Sequence, residues 1–557
     1  MKNSHQQILI GAAIAVCLSS LYLIHLGASS IWDSNEAFYV ETPREMIRSG
    51  QYIIPTFNYE FRLNKPPLSY WIVVAAYKIL GVSVYSQRLV TLLFVAGLLL
   101  VVWKFCLLFE LPRRWAWFAV IVVALTPRIL VMGRRALLEI LITFFIVAAL
   151  YFFYEYLHGG RRRNLTFFYI CLALGFLTKG PVALVIPLGV IGCFWLIGGF
   201  RKPPFPVRPL SGGAIFLALV LPWYIALYMT MGPKWIIRFF WDENLLRFTT
   251  GDFGPQRGIL YYPGIFLGDF FPWCLLSVGS IWYLYKIWRD LEAPVRERMV
   301  FLLVWILFPI LFFSFSKNKQ EYYIMSVYPA AALSLGILLS RLEKEQAQHR
   351  YWRAVLAVSW ALTGVMGWGI ALMVHKILGL EVVAWALGAL ILAIQVAGWV
   401  SLHRGRWMRL FAFIPASVFL LFLVTVVFVV PKIEDFHPIQ HFARIILHQS
   451  SPTDRIGSYD FACPSLCFYT RRPILEIVKE EEFASLFSQP HPFFCVIRER
   501  NLAALDRRGI PYRVLDDRPL ASLKVKDFIS PPPGGIRNRL LLIVNTPGQE
   551  ATGISDK

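Results

Sequence analysis

The chain has 557 residues, 57% of them hydrophobic and only 16% charged, with a formal net charge of +21. A soluble globular protein carries about a quarter charged residues, so a soluble enzyme is excluded. Most Lys and Arg fall in short clusters between long apolar runs, where they orient helices, so a nucleic-acid partner is excluded as well.

From the N-terminus, the apolar run Ile8 to Leu26 is longer than the core of a signal peptide and predicts an uncleaved first transmembrane helix. A spanning helix needs ~20 apolar residues. On that rule about 13 spans are predicted, at 8–28, 87–109, 115–132, 137–157, 165–178, 182–199, 212–231, 263–285, 299–314, 323–340, 354–375, 380–402 and 410–430. The apolar stretch 68–81 is too short for a span and suits an interfacial or re-entrant piece. With the N-terminus inside, every inside loop is basic: Arg113-Arg114, Arg161 to Arg163, Arg201-Lys202, Lys286 to Arg298, Arg341 to Arg353 and Arg404 to Arg409. The positive-inside rule therefore places the N-terminus in the cytoplasm and the C-terminal tail outside. Two outside segments are long, 29–86 and 232–262. Basic residues in the outside turns, at Arg134-Arg135, Lys179, Lys317 and Lys319, oppose that orientation bias and point to anion binding.

The first outside loop reads WDSNEAFYVETPREMIRSGQYIIPTFNYEFRLNKPPLSYW, from Trp32 to Trp71. Pro43 suits a first helical turn and Gly50 a stop, which predicts a short surface helix from Pro43 to Ser49. Charges in such a loop are commonly solvated or paired, and that reading is applied to Arg44, Glu45, Arg48 and Glu60. Asp33 and Glu36 directly follow the first span, and Lys65 precedes two prolines that fix the backbone where the chain re-enters the membrane.

Beyond Val430 the composition turns polar. Strand-length apolar segments IGSYDF, ILEIV, FFCVIRE, YRVLDD and RLLLIVN alternate with helical stretches EEEFASLF and NLAALDRRG, and SPPPGG from Ser530 to Gly535 reads as a loop. That alternation predicts a small α/β domain, with no nucleotide fingerprint and no catalytic constellation. It reads as a substrate-side lid or an assembly surface. Cys463 and Cys467 there form a disulfide or stay as buried thiols; the ten His are scattered and no zinc spacing is visible.

The run NEAFYVETPREMIRSG, then Pro55, then the spacing to KPPLSYW, resembles the C-type superfamily of membrane glycosyltransferases. The resemblance is to the protein O-mannosyltransferase-like branch that includes the bacterial aminoarabinose transferases acting on lipid A. GRRALLEILITFF, LTKGPVA, FFWDENLLRF and SKNKQEYYIMSVYPA follow in the order that family has them. The resemblance implies transfer of a sugar from a polyprenyl phosphate donor to a lipid, glycan or protein acceptor, outside the cytoplasm, in a bacterial inner membrane. Such a reaction needs fixed cations on the departing phosphate and a carboxylate for the acceptor hydroxyl or the sugar's developing positive charge. By the same resemblance Lys65 and Arg247 contact the donor phosphate and Tyr323 lies near it, with Lys179, Lys317 and Lys319 as further candidates for that anionic pocket. Asn35, Tyr39, Glu41, Arg62 and Arg134 complete the expected substrate-binding set. The chain departs from the family at Asn35, where an aspartate is usual, so the catalytic carboxylate is sought among Asp33, Glu36 and Glu139. Phe38 replaces a family arginine, which points to a different donor sugar. The positions that could ligate a metal in the aminoarabinose enzymes read Asn64 and Asp242, so zinc is not predicted; no cofactor is predicted, and a divalent metal is left open.

The expectation is a polytopic α-helical membrane protein: residues 1–430 form a catalytic transmembrane domain and residues 431–557 an extracytoplasmic α/β domain. A flippase for lipid-linked glycans and a non-catalytic sugar-lipid binding protein are the alternatives. Transporters often show internal repeats, and none is found in this chain.

Overall fold

A computed structural model describes residues 2–31, 34–198, 208–252, 254, 256–344, 349–520 and 539–545. Asp33, Arg201-Lys202 and the SPPPGG segment lie outside the described residues.

Each predicted span coincides with a helix, but not every helix is long and apolar enough to cross a bilayer. Among the described residues seven are, by length and composition: Val84–Leu108, Glu139–Gly159, Pro209–Met231, Ala293–Phe315, Arg350–Lys376, Glu381–His403 and Trp407–Phe436. Two further pairs each make one bent span, Arg113–Ala124 with Pro127–Gly133 (62°) and Tyr261–Asp269 with Trp273–Asp290 (111°), for nine in all. Pro127 and Pro272 sit at these breaks, where a residue without an amide hydrogen cannot continue the preceding helix. The other predicted spans fall short of the criterion for simple reasons. Val182–Ile197 has 16 residues, a rise of about 24 Å against a hydrocarbon core of about 30 Å. Arg162–Lys179 and Val327–Lys344 carry charges at their ends. The stretch at 68–81 is a helix, Leu68–Leu80, of 13 residues, about 20 Å of rise.

The helices pack on a core that includes the fully buried Trp273, Trp305 and Trp352. At one end of it lies the first loop, and here the predicted helix from Pro43 is corrected. The observed helix runs Ser34–Ser49 with Pro43 inside it, so Glu36 and Glu41 lie within the helix rather than before it. A tight hairpin follows, β1 (Thr56–Phe57) antiparallel to β2 (Glu60–Phe61), with Asn58 and Tyr59 at positive φ.

All five strand segments read from the tail form strands of one mixed sheet: β3 (Arg455–Tyr459), β4 (Leu475–Ile477), β5 (Phe493–Arg498), β6 (Tyr512–Pro519) and β7 (Arg539–Asn545), in the order β4-β3-β5-β7-β6. β3 runs parallel to β4 and β5, while β7 is antiparallel to β5 and β6. Successive side chains of a strand alternate faces. Phe494 and Val496 accordingly pack with the helix Ile439–Gln449 through Phe442 and Ile446. Phe493, Cys495 and Ile497 pack with the helix Glu480–Phe487 through Phe483 and Phe487. Cys463 and Cys467 are buried free thiols.

This C-terminal part grips the first loop. Asn58 at the hairpin tip donates to the Ile474 carbonyl (2.8 Å) and accepts from the Ile474 amide (2.7 Å). Tyr469 Oη accepts from the Ile31 amide (2.9 Å), and Glu434 from the Ser30 amide (2.8 Å).

Candidate active site

Between the first loop and the helical bundle lies a cavity of about 970 Å³. One part of its wall is apolar, with Ile142, Val182, Val185, Ile186, Phe240, Leu245, Phe312 and Phe313. Another is charged, with Arg62, Lys65, Arg128, Arg135, Glu139, Lys179, Glu243 and Arg247. An apolar trough ending in a cluster of opposed charges suits an amphiphile with an anionic head.

Lys65 is placed there by the turn that its prolines impose. Pro67 caps the helix Leu68–Leu80, and the preceding backbone is tied down by Trp71 Nε1 donating to the Tyr52 carbonyl (2.7 Å) and Trp223 Nε1 to the Ile53 carbonyl (2.9 Å). Its Nζ lies 3.8 Å from Glu243 Oε2. Burial pushes Lys65 down to about 8, with Arg247 and Lys179 adding to the effect and Glu243 opposing it. Arg247 approaches the same Glu243 oxygen at 3.2 Å. Both residues sit on a wide π-helical turn, Trp241–Leu246, and its exit, a local geometry frequent at functional sites. The side-chain amide of Asn244 donates to the Phe239 carbonyl (2.7 Å) and closes that turn.

Glu139 opens the helix Glu139–Gly159 and is nearly buried. Lys179 forms an ion pair with its Oε2. The same lysine lies 5.1 Å from the ring centre of Tyr323 and 5.3 Å from that of Tyr322. Arg62 lies flat on Phe38, 3.4 Å from the ring centre, so the aromatic ring that replaces the family arginine instead seats an arginine from the hairpin. Tyr39 stacks on Tyr70 (5.9 Å) and, with the exposed Asn35, lines the cavity.

The structure thus brings together Asn35, Tyr39, Arg62, Lys65, Glu139, Lys179, Arg247 and Tyr323 of the predicted set. Others it places elsewhere. Glu36 is fully buried away from the cavity, accepting from Arg88 Nε (2.9 Å) and the Ala136 amide (2.7 Å). That is a structural ion pair, and the expectation of a catalytic Glu36 is corrected on that ground. Glu41 is likewise buried and bound in bidentate fashion by Arg44 (2.7 and 2.5 Å). Arg134 donates to the Leu21 and Ile24 carbonyls at the end of the first helix. Lys319 donates to the Ser316 carbonyl, and Lys317 is exposed outside the cavity.

Sequence reasoning missed Arg128 and Glu243. Arg128 lines the cavity and holds Asp269 through two hydrogen bonds (2.7 and 2.9 Å). Its signal was present, an arginine inside the apolar run 115–132. Glu243 had a weaker one, its position four residues before Arg247.

One group has metal-ligand character: oxygens of Glu41 and Glu45 and the sulfur of Cys467, all within 4.8 Å of one another. The guanidinium of Arg44 already neutralises Glu41, while Glu45 accepts from Thr56 Oγ1 (2.5 Å) and the Tyr59 amide (3.1 Å). These partners make the group a hinge between loop and C-terminal part rather than a free ligand set.

Residues 8–236 match the family model described as dolichyl-phosphate-mannose-protein mannosyltransferase, a span that contains Lys65, Glu139 and Lys179. The chain is a membrane glycosyltransferase that resembles this family over those residues. An uncharacterized protein of Aquifex aeolicus (strain VF5) is 28% identical over 471 residues, 83% of this chain and 86% of the relative. The undecaprenyl phosphate-alpha-4-amino-4-deoxy-L-arabinose arabinosyl transferase of Aeromonas salmonicida (strain A449) is 30% identical over 354 residues, 62% of each chain. Among solved structures, ArnT of Cupriavidus metallidurans bound to undecaprenyl phosphate superposes with a TM-score of 0.76 at 19% identity, covering 96% of this glycosyltransferase and 98% of that chain. The apo form of the same protein gives 0.74. The likeness shows that the fold, C-terminal part included, is shared.

Proposed function

We propose that this glycosyltransferase moves a sugar from a polyprenyl phosphate to an envelope lipid, glycan or protein acceptor on the extracytoplasmic face. The single observation that carries the reading is the convergence of Lys65 and Arg247, from loops about 180 residues apart, on one point at the head of an apolar trough. The Aeromonas relative takes an undecaprenyl phosphate sugar, and the Cupriavidus protein was captured with undecaprenyl phosphate. Both describe an amphiphile with this distribution of charge and chain.

In the proposed reaction Lys65 and Arg247 hold the donor phosphate, and Tyr323 lies beside it. Of the three carboxylates considered from the sequence, Glu139 is the one that lines the cavity among the described residues, where Glu243 and Glu321 also lie. Lys179 pairs with Glu139 and fixes its position. The acceptor oxygen gives its proton to Glu139 and attacks the anomeric carbon. The bond from that carbon to the phosphate oxygen breaks, and the phosphate leaves with its negative charge on the two cations. Attack opposite the leaving group inverts the anomeric centre.

The test is transfer in proteoliposomes from an undecaprenyl phosphate sugar to lipid extract, with product read by mass spectrometry. Lys65→Ala is expected to abolish transfer with expression and melting unchanged; unchanged transfer sinks the phosphate role. The exposed Asn35 on the cavity wall, in place of the family aspartate, motivates a second reading as a sugar-lipid binding protein. Tight binding without turnover in the same assay, relieved by Asn35→Asp, would favour it.

A further inference from the structure

The ion pairs around the cavity are not alike. Arg128 and Asp269 meet at 2.7 and 2.9 Å, Arg88 and Glu36 at 2.9 Å, and Arg257 and Glu321 at 2.8 Å. These are the lengths of good charge-assisted hydrogen bonds. Glu243 lacks such a close partner among the described residues: it is shared between two cations at looser distances, 3.2 Å from Arg247 and 3.8 Å from Lys65. Its Oε2 is buried, yet it accepts no hydrogen bond of ordinary geometry among the described residues. Charge alone holds it. One carboxylate oxygen thus faces two cations without a close bond to either, and an anion that offers each cation an oxygen of its own would serve both better. A phosphate has that shape.

The backbone under Glu243 is irregular. It lies on a π-helical turn, anchored through Phe239, which packs against Gly180, and bordered by the exposed Trp241 and Leu245. Such a turn is a local irregularity frequent at functional sites.

From this we infer that Glu243 is an internal competitor of the donor phosphate, a carboxylate that the incoming lipid phosphate displaces from Lys65 and Arg247. The inference rests on the proposed phosphate role of those two residues. Glu243 then sets how tightly the polyprenyl phosphate is held on both sides of the reaction. It lowers donor affinity, and by returning to its cations it helps expel the spent polyprenyl phosphate. Without it, product would be retained.

The full-length protein in detergent is titrated with undecaprenyl phosphate and, separately, with neutral undecaprenol. Glu243→Gln is expected to bind undecaprenyl phosphate about fivefold tighter, the worth of one partly screened ion pair, with undecaprenol unchanged. Product inhibition by undecaprenyl phosphate should strengthen by the same factor, a change that a merely structural role would not produce. Should Glu243→Gln fail to fold, Glu243→Asp keeps the charge on a shorter arm and is expected to gain severalfold. Equal or weaker phosphate-lipid binding in the folded variant overturns the inference, as does a gain shared equally by undecaprenol. The underlying reading fails separately: it falls if Lys65→Ala and Arg247→Ala bind undecaprenyl phosphate as the unaltered chain does. If those two lose binding and Glu243→Gln gains none, only the competitor role is refuted.

Discussion

Replacing Arg88 tests the reassignment of Glu36 from chemistry to structure. Arg88 is 1% exposed and spends its guanidinium on five hydrogen bonds: to Glu36, the carbonyls of Leu26, Ser29 and Ser30, and the Ser29 hydroxyl. It ties the end of the first helix to the start of the helix Ser34–Ser49. Arg88→Met keeps the bulk but leaves the Glu36 carboxylate buried without its main partner, a loss of about 3–5 kcal/mol, with the orphaned carbonyls adding to it. Glu36→Gln keeps an acceptor oxygen and four of the five arginine bonds, so about 1–3 kcal/mol is expected. Melting of the detergent-solubilised protein should therefore fall by several degrees, more in Arg88→Met than in Glu36→Gln. Below the melting range Glu36→Gln should keep most of its transfer activity. The pH dependence has a definite sign. Burial pushes Glu36 up, but the charges of Arg88 and Arg135 and the bonds from Arg88 and the Ala136 amide hold it below the usual carboxylate range. Its stabilisation is thus complete above its unfolded value of about 4.3 and is lost as pH falls through the lower folded value. Arg88→Met should flatten that acid limb. If Glu36→Gln abolishes transfer while melting as the unaltered protein does, the structural assignment is wrong.

Lys65 is held down to about 8 by burial, so binding of undecaprenyl phosphate should weaken as pH rises through that value; Lys65→Arg, which stays charged, should retain binding further into alkali. Gly180 has φ of 86° and an added Cβ would sit 2.7 Å from the Phe239 ring, so Gly180→Ala should displace the segment that carries Arg247 and raise KM, at a cost of at least about 1 kcal/mol. Burial, with the Glu41 charge adding, raises Glu45 to about 7 against the opposing bond from Thr56. A raised carboxylate stabilises the fold below its unfolded value of about 4.3 and has lost that contribution once pH has risen through about 7, so melting should fall across that interval and level off above it, and less so in Glu45→Gln.

The membrane region was legible because its signal is long-range composition: apolar runs separated by basic loops marked the positions of its long helices. The tail was legible because its strands are short apolar runs bounded by polar turns, and all five formed. The site was legible only where a residue was ill-suited to its place. Lys65 before two prolines and Lys179 on an outside turn both proved to line the cavity, since a charge at a membrane edge requires a partner. Glu36 misled because burial is a property of the folded contact, not of position in a loop: its partner Arg88 lies 52 residues on, at the start of an apolar run. Pro43 misled for a local reason, since a proline that suits a first turn here sits inside a longer helix.

None of the described residues beyond Ser326 lines the cavity, yet the C-terminal part bears on it through one strut. Asn58 locks the hairpin tip to Ile474 by a reciprocal pair of hydrogen bonds, and Tyr59 Oη donates to the Arg471 carbonyl (3.0 Å) while accepting from Arg48 (2.6 Å). The hairpin stem in turn carries Arg62, whose amide is tied to the Pro55 carbonyl (2.8 Å) and whose guanidinium rests on Phe38 in the cavity wall. A two-residue-per-strand hairpin is not stable by itself in water. Its geometry, and therefore the reach of Arg62 and the placement of Lys65 three residues on, is borrowed from the sheet behind Ile474. Loss of the Asn58 clamp should then loosen the donor site from a distance, which makes the described C-terminal part a splint for the loop.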